Sequence, residues 1–129
     1  MKEFNQYING KFVKSTSSEM TEVLNPCTEE VLSLIPQGSI ADANNALEAA
    51  QASQHAWKSL TAIERAGYLH KMANVIRDNR VFLAETLAKE QAKVMGLAQV
   101  EIDVTADYYD YNAGWARRIE GEIIQSDRK

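Results

Sequence analysis

One cysteine, Cys27, is all the thiol this chain has, so no internal disulfide can staple it, and a reducing compartment suits it. The two histidines, His55 and His70, form no ligand-spaced pair with each other or with Cys27, which leaves no zinc-like set in the sequence. The six glycines, Gly10, Gly38, Gly67, Gly96, Gly114 and Gly121, lie far apart. A loop that cradles phosphates needs them clustered, so a pyrophosphate finds no seat of the usual kind. No apolar run approaches the length that spans a bilayer. The opening residues Met1 to Gln6 have no apolar signal-peptide core. Basic side chains are outnumbered by acidic ones, 14 to 18, for a net charge of −4. Without a broad cationic face to release counterions, neither nucleic acid nor a membrane is an expected partner. The expected compartment is the cytoplasm.

What is present is ordinary material for a folded domain. The 129 residues are 45% apolar and 25% charged, enough for one small domain with a modest core. Gln6-Tyr7-Ile8 and Lys11-Phe12-Val13 flank Asn9-Gly10, the dipeptide that best accepts the positive φ angles of a tight hairpin turn. Ser15 to Glu19 reads as a loop. Glu22-Val23-Leu24 is a short strand that Asn25-Pro26 ends, and Val31 to Ile35 is another, closed by Pro36 and Gly38. The first 36 residues therefore read as two β-ribbons.

After Gly38 the apolar period changes from strand-like to helical. Ser39-Ile40-Ala41-Asp42 has the form of a capping box, and Thr61-Ala62-Ile63-Glu64 repeats it. The first helix would bury Ala43, Ala46, Leu47, Ala50 and Trp57, and the second Ala66, Leu69, Met72, Ala73 and Ile76. Asp78-Asn79 reads as a bend before the pattern resumes at Phe82. A third helical stretch runs from about Leu97 to Glu120, with Leu97, Val104, Tyr108, Tyr111, Trp115 and Ile119 as its buried stripe and Gly121 as its end. Ile123-Ile124 then reads as the start of a strand that is cut off. The helical part spans 39–121 and the strand start 122–129.

Few residues here suggest chemistry. Cys27 follows Pro26 in a turn, with no histidine or cation near it in sequence to lower its pKa, so it reads as a turn residue. Both histidines read as structural or surface groups. Glu85, Glu90, Asp103, Asp107 and Asp110 read as solvated helix faces. Glu101 interrupts the apolar stripe. Its carboxylate is either partly buried with a raised pKa or paired with an arginine, and pairing is the favoured reading. The aromatic series Tyr108, Tyr109, Tyr111 and Trp115 lacks interleaved basic residues, which points to core or subunit contact instead of base stacking.

Taken in order, these segments resemble the start of the aldehyde dehydrogenase superfamily. Tyr7-Ile8-Asn9-Gly10-Lys11-Phe12-Val13 is similar to its opening hairpin, and Asn25-Pro26-Cys27-Thr28 to its Asn-Pro-Ala-Thr signature. Ala43 to Trp57 is similar to its alanine-rich helix ending in tryptophan, and Thr61 to Arg65 to its Thr-x-x-x-Arg helix entry. The stretch from Ala106 through Arg128 looks most like the bacterial lactaldehyde/glycolaldehyde branch.

The resemblance implies an α/β fold of the aldehyde dehydrogenase type. This chain would be its N-terminal segment: β-ribbons, then three to four packed helices. It implies NAD as cofactor of the complete enzyme, homo-oligomers, and small hydroxy-aldehydes as substrates. The family's catalytic cysteine, its general-base glutamate and its NAD-binding segment all lie beyond the matched region. No catalytic or cofactor-binding residue is therefore carried onto this sequence, and the chain alone is expected to be inactive. The implied partner is the remainder of the dehydrogenase or a full-length homologue.

Two positions carry finer expectations. The backbone carbonyl of Leu24 and the carboxylate of Glu90 fall where some family members hold a structural monovalent cation, and hard cations favour such oxygens. In Glu90-Gln91-Ala92-Lys93, alanine stands where the family usually has glycine. If that position needs a positive φ, Ala92 is strained by about 1 kcal/mol or more.

Overall fold

The computed structural model describes residues 2–127. Its first layer is β structure. Strands β2 (Gln6–Ile8) and β3 (Lys11–Val13) pair antiparallel, with Tyr7 opposite Phe12. The turn between them sets Asn9 at φ 52° and Gly10 at φ 76°, the left-handed pair a two-residue hairpin requires. Strand β4 (Met20–Leu24) pairs antiparallel with β5 (Val31–Pro36), with a register shift at Val23/Leu24. A short strand that the sequence pattern did not reveal, β1 (Lys2–Glu3), adds parallel to β5, giving the order β1-β5-β4. Two residues carry too little pattern to announce a strand whose partner lies some thirty positions away.

Four helices follow: α1 (Ile40–Ser59), α2 (Ala62–Asp78), α3 (Arg80–Gln91) and α4 (Met95–Ala113). Both capping boxes form with reciprocal hydrogen bonds, Ser39 with Asp42 and Thr61 with Glu64. Each satisfies amide groups that the first helical turn leaves without partners. Asn79 breaks α2 from α3 at the expected bend. Arg65 of the Thr-x-x-x-Arg entry donates to the Leu60 carbonyl, closing the α1–α2 corner.

α4 packs against both α2 and α3. The seam is built from alanines: Ala66 and Ala73 on α2, Ala84 on α3, and Ala98, Ala106 and Ala113 on α4. No large side chain is fully buried among the described residues. Side chains this small let helix axes approach closely.

Three expectations need correction. The stripe assigned to the third helical stretch is not its buried face: Leu97, Val104, Tyr108, Tyr111, Trp115 and Ile119 are all exposed, and the alanines occupy the inner side. On α1 the whole expected stripe, Ala43, Ala46, Leu47, Ala50 and Trp57, is exposed, whereas on α2 the expected stripe is the inner face, with Ala66 and Ala73 buried and Leu69 and Ile76 half-buried, and only Met72 exposed. On α4 two apolar faces recur with helical period, and the chain's own neighbours take the one with small residues.

The last α-helix also stops earlier than Gly121. It tightens into a 3₁₀ turn at Gly114–Arg117, so the chain leaves the helix axis well before Glu120. Finally, Ile123-Ile124 forms no strand in the described part of 122–129. A strand exists only by pairing, and no backbone ladder lies beside this segment among the described residues; positions 128 and 129 lie outside them.

Candidate functional site

The residues that could carry chemistry are scattered. Cys27 is exposed in its turn, its amide donating to the Asn25 side-chain oxygen at 2.9 Å. Leu24 ends β4, whose packing partner is β5, while Glu90 lies exposed in the last turn of α3, which packs on α4. A monovalent cation needs several oxygens around it. One carbonyl and one solvent-facing carboxylate do not close such a shell by themselves. No cluster of three metal-ligating side chains occurs among the described residues.

What the fold does assemble are two polar fasteners. The first surrounds Asp42, a buried carboxylate in the first turn of α1. It accepts from the Ser15 hydroxyl at 2.6 Å, the Ser39 amide at 2.9 Å, the Thr16 amide and hydroxyl at 3.1 Å, and the Gln6 side-chain amide at 3.3 Å. Led by the Ser15 hydroxyl and the Ser39 amide, these donors hold the acid far below the ordinary carboxylate range against the opposing effect of burial. One side chain thus ties the hairpin, the following loop and α1 together. Beside it, the Gln6 carbonyl oxygen is buried with no hydrogen-bond partner.

The second is a ladder between α2, the start of α3 and α4. His70 meets Asp110 at 2.6 Å, Arg77 meets Asp110 at 2.7 Å and Asp107 at 2.8 Å, and Arg80 grips Asp103 through two bonds of 2.6 and 2.7 Å. Hydrogen bonds from His70 and then Arg77 lower the Asp110 pKa, and that from Arg80 lowers Asp103. Of the acids expected to be a solvated face, Asp103, Asp107 and Asp110 are paired with cations, while Glu85 and Glu90 are exposed as expected. Glu101 also has a cation, but the cation is Lys93 and not an arginine, and the carboxylate is exposed.

Opposite the alanine seam, α4 presents Leu97, Val100, Val104, Tyr108, Tyr111 and Trp115, each between 44% and 63% exposed. Val104, Asp107, Tyr108 and Tyr111 line a shallow groove of about 430 Å³ on this face. No helix of the described residues is long and apolar enough to cross a membrane.

A small alanine seam thus lies beneath a large apolar outer face. Residues 12–129 match the sequence profile of the aldehyde dehydrogenase family. The chain belongs to the aldehyde dehydrogenase family.

It is similar to the lactaldehyde dehydrogenase of Escherichia coli, at 48% identity over 95% of this chain and 26% of that protein. The crystal structure of lactaldehyde dehydrogenase from Escherichia coli superposes with a TM-score of 0.91 and 46% identity, over 98% of this chain and 27% of the other. A betaine aldehyde dehydrogenase from Staphylococcus aureus, solved in complex with NAD⁺, superposes with a TM-score of 0.86 at 28% identity, over 95% of this chain and 25% of that one. The chain thus spans about a quarter of the length of these relatives.

A pyrophosphate seats on free amides at a helix N-terminus or in a glycine loop. Here the N-termini of α1 and α2 are filled by their own carboxylates, Asp42 and Glu64, that of α4 begins at Val94 without a side-chain cap, and Gly10, in the hairpin, is the one glycine with a positive φ.

Proposed function

We propose that this chain is the supporting N-terminal portion of an NAD-dependent aldehyde dehydrogenase that oxidises small hydroxy-aldehydes, such as lactaldehyde or glycolaldehyde, to carboxylic acids in the cytoplasm. The observation that carries this reading is the collinear 48% identity to a lactaldehyde dehydrogenase across nearly the whole chain. The architecture supports the supporting role. A fold whose sealed residues are alanines and whose large side chains face outward is a shell, and a shell orients a reactive centre without containing one. In the complete enzyme NAD accepts the hydride. The part played by these residues is to fix the helices on which that centre rests, through the Asp42 fastener and the α2–α4 ladder.

The test is direct. Purified chain mixed with glycolaldehyde and NAD should produce no NADH and show no saturable NAD binding, whereas the same chain continued into a complete dehydrogenase should turn over. NADH formation by the chain alone, abolished in Cys27→Ser, would overturn the reading.

A second reading has its own observation in its favour. The exposed face of α4 suits a non-catalytic module that associates with a full-length dehydrogenase. Co-purification of the intact chain with such an enzyme would support it.

A further inference from the structure

We propose that Asn9-Gly10 is a self-modification site, at which the Gly10 backbone nitrogen converts Asn9 to isoaspartate when the β2–β3 hairpin lifts off α1. The site and its gate are independent of any dehydrogenase activity.

The chemistry needs only these two residues and water. The Gly10 nitrogen, stripped of its proton by base, attacks the side-chain Cγ of Asn9. The N–Cγ bond forms and the Cγ–Nδ2 bond breaks. The proton lost by Gly10 returns, by way of solvent, to the departing ammonia, and a five-membered succinimide is left. Water then adds at either imide carbonyl. Opening at Cγ gives aspartate in an ordinary backbone. Opening at the main-chain carbonyl gives isoaspartate, whose backbone runs through Cγ and is one atom longer. Nothing is oxidised or reduced. An amide becomes a carboxylate, so the chain gains a negative charge.

Sequence and surface select the position. Asn9 is the only asparagine that precedes a glycine. Asn25 precedes Pro26, which has no N–H to attack with. Every other asparagine precedes a residue whose Cβ crowds the attacking nitrogen. Asn9 and Gly10 are both exposed, and open space surrounds Gly10 where a side chain would stand.

The fold supplies the gate. Asn9 and Gly10 both have positive φ, the mirror-image turn that holds the Gly10 nitrogen away from the Asn9 Cγ. Attack therefore waits for the turn to open. A lone two-stranded ribbon is only marginally stable in water, and β2 and β3 pair with no other strand among the described residues. α1 holds them down. Ile8 and Asn9 line a cleft against Ala46, Ala50 and Ser53 of that helix. At the two ends of the ribbon, Gln6 and Ser15 donate to Asp42 at 3.3 and 2.6 Å. After conversion, the longer backbone no longer fits the two-residue turn that sets Tyr7 opposite Phe12. The modification thus keeps the hairpin open and releases Gln6 from Asp42.

The test is incubation of the intact chain in mildly alkaline buffer, read by peptide mass mapping and by methyl labelling with an isoaspartyl carboxyl methyltransferase. The label, and the mass rise of an amide turned to acid, should fall on the peptide that contains Asn9. They should accumulate more slowly than in the same chain unfolded in urea. Gln6→Ala should speed the reaction by about 3–10-fold with helical circular dichroism unchanged, and Asn9→Ser should abolish the label. In the parent chain, urea below its unfolding range should raise the rate in step with amide exchange at Lys11, a readout that needs no variant. Label spread over the other asparagines overturns the proposal. So does a folded chain that reacts as fast as the unfolded one, or a rate that neither Gln6→Ala nor mild urea changes.

Discussion

Ala92 ends α3 in the left-handed conformation, with φ 54° and ψ 30°. A Cβ in that region sits too close to the following carbonyl oxygen, at a cost of roughly 1–2 kcal/mol. Glycine escapes that cost but widens the unfolded ensemble, which offsets about 0.4–1 kcal/mol of the gain. Ala92 is exposed, so losing its methyl group forfeits no packing. Ala92→Gly is therefore expected to stabilise the chain by about 0.5–1 kcal/mol, a rise in Tm of about 2–4 °C for a domain of this size. The control is the same substitution one turn earlier. Ala88→Gly lies inside α3 with ordinary helical geometry and should cost about 1 kcal/mol. Urea denaturation of the two variants beside the parent gives both signs from one chemical change. If Ala92→Gly is neutral or destabilising while Ala88→Gly behaves as stated, the left-handed strain at Ala92 is absent and the reasoning fails.

Three further outcomes follow from the same packing. Asp42 has a folded-state pKa far below its unfolded value near ~4, so its contribution is complete above that value and fades as pH falls through the acid range; thermal melts should show a decline below about pH 5 that Asp42→Asn flattens, together with a lower Tm at neutral pH. Ala73 is fully sealed against α4, so Ala73→Leu should overpack the seam and lower stability by about 1–3 kcal/mol, read by chemical denaturation. The exposed ladder pairs are screened by salt, so the parent should lose stability between low and high ionic strength, while Arg77→Ala/Arg80→Ala should lose much less of it; an equal response in both would mean the ladder contributes nothing.

Local chemistry was largely legible in the sequence. Asn9-Gly10 announced its turn, the two capping boxes announced the starts of α1 and α2, and Ala92 in place of glycine announced a left-handed residue that the structure contains. Each of these is settled within four or five residues, where backbone sterics and short hydrogen bonds decide. What was not legible depends on distant partners. The parallel pairing of Lys2–Glu3 with β5 has no short-range signature. The choice between two apolar faces of α4 cannot be made from period alone, because both recur with helical spacing. On α4 residue size carried the missing information: the face that meets α2 and α3 holds alanine, and the face left outside holds leucine, valine, tyrosine and tryptophan. The polar fastener at Asp42 was half visible, since the capping box showed Ser39 but nothing local pointed to Gln6, Ser15 or Thr16.

That partition by size has an energetic consequence. Apolar burial stabilises in proportion to area, and an alanine offers little of it, so the α2–α3–α4 seam gains less than a leucine seam of equal length. The Arg77 and Arg80 pairs do not make up the difference, because exposed ion pairs add little; they set the relative registry of the helices. The large apolar side chains of α1 and α4 stand on the outer strips, where they contribute little burial within the described residues. A helix that is apolar on nearly opposite faces is at home between two layers. α4 therefore has the pattern of a helix that lies between two layers, of which the described residues build the inner one.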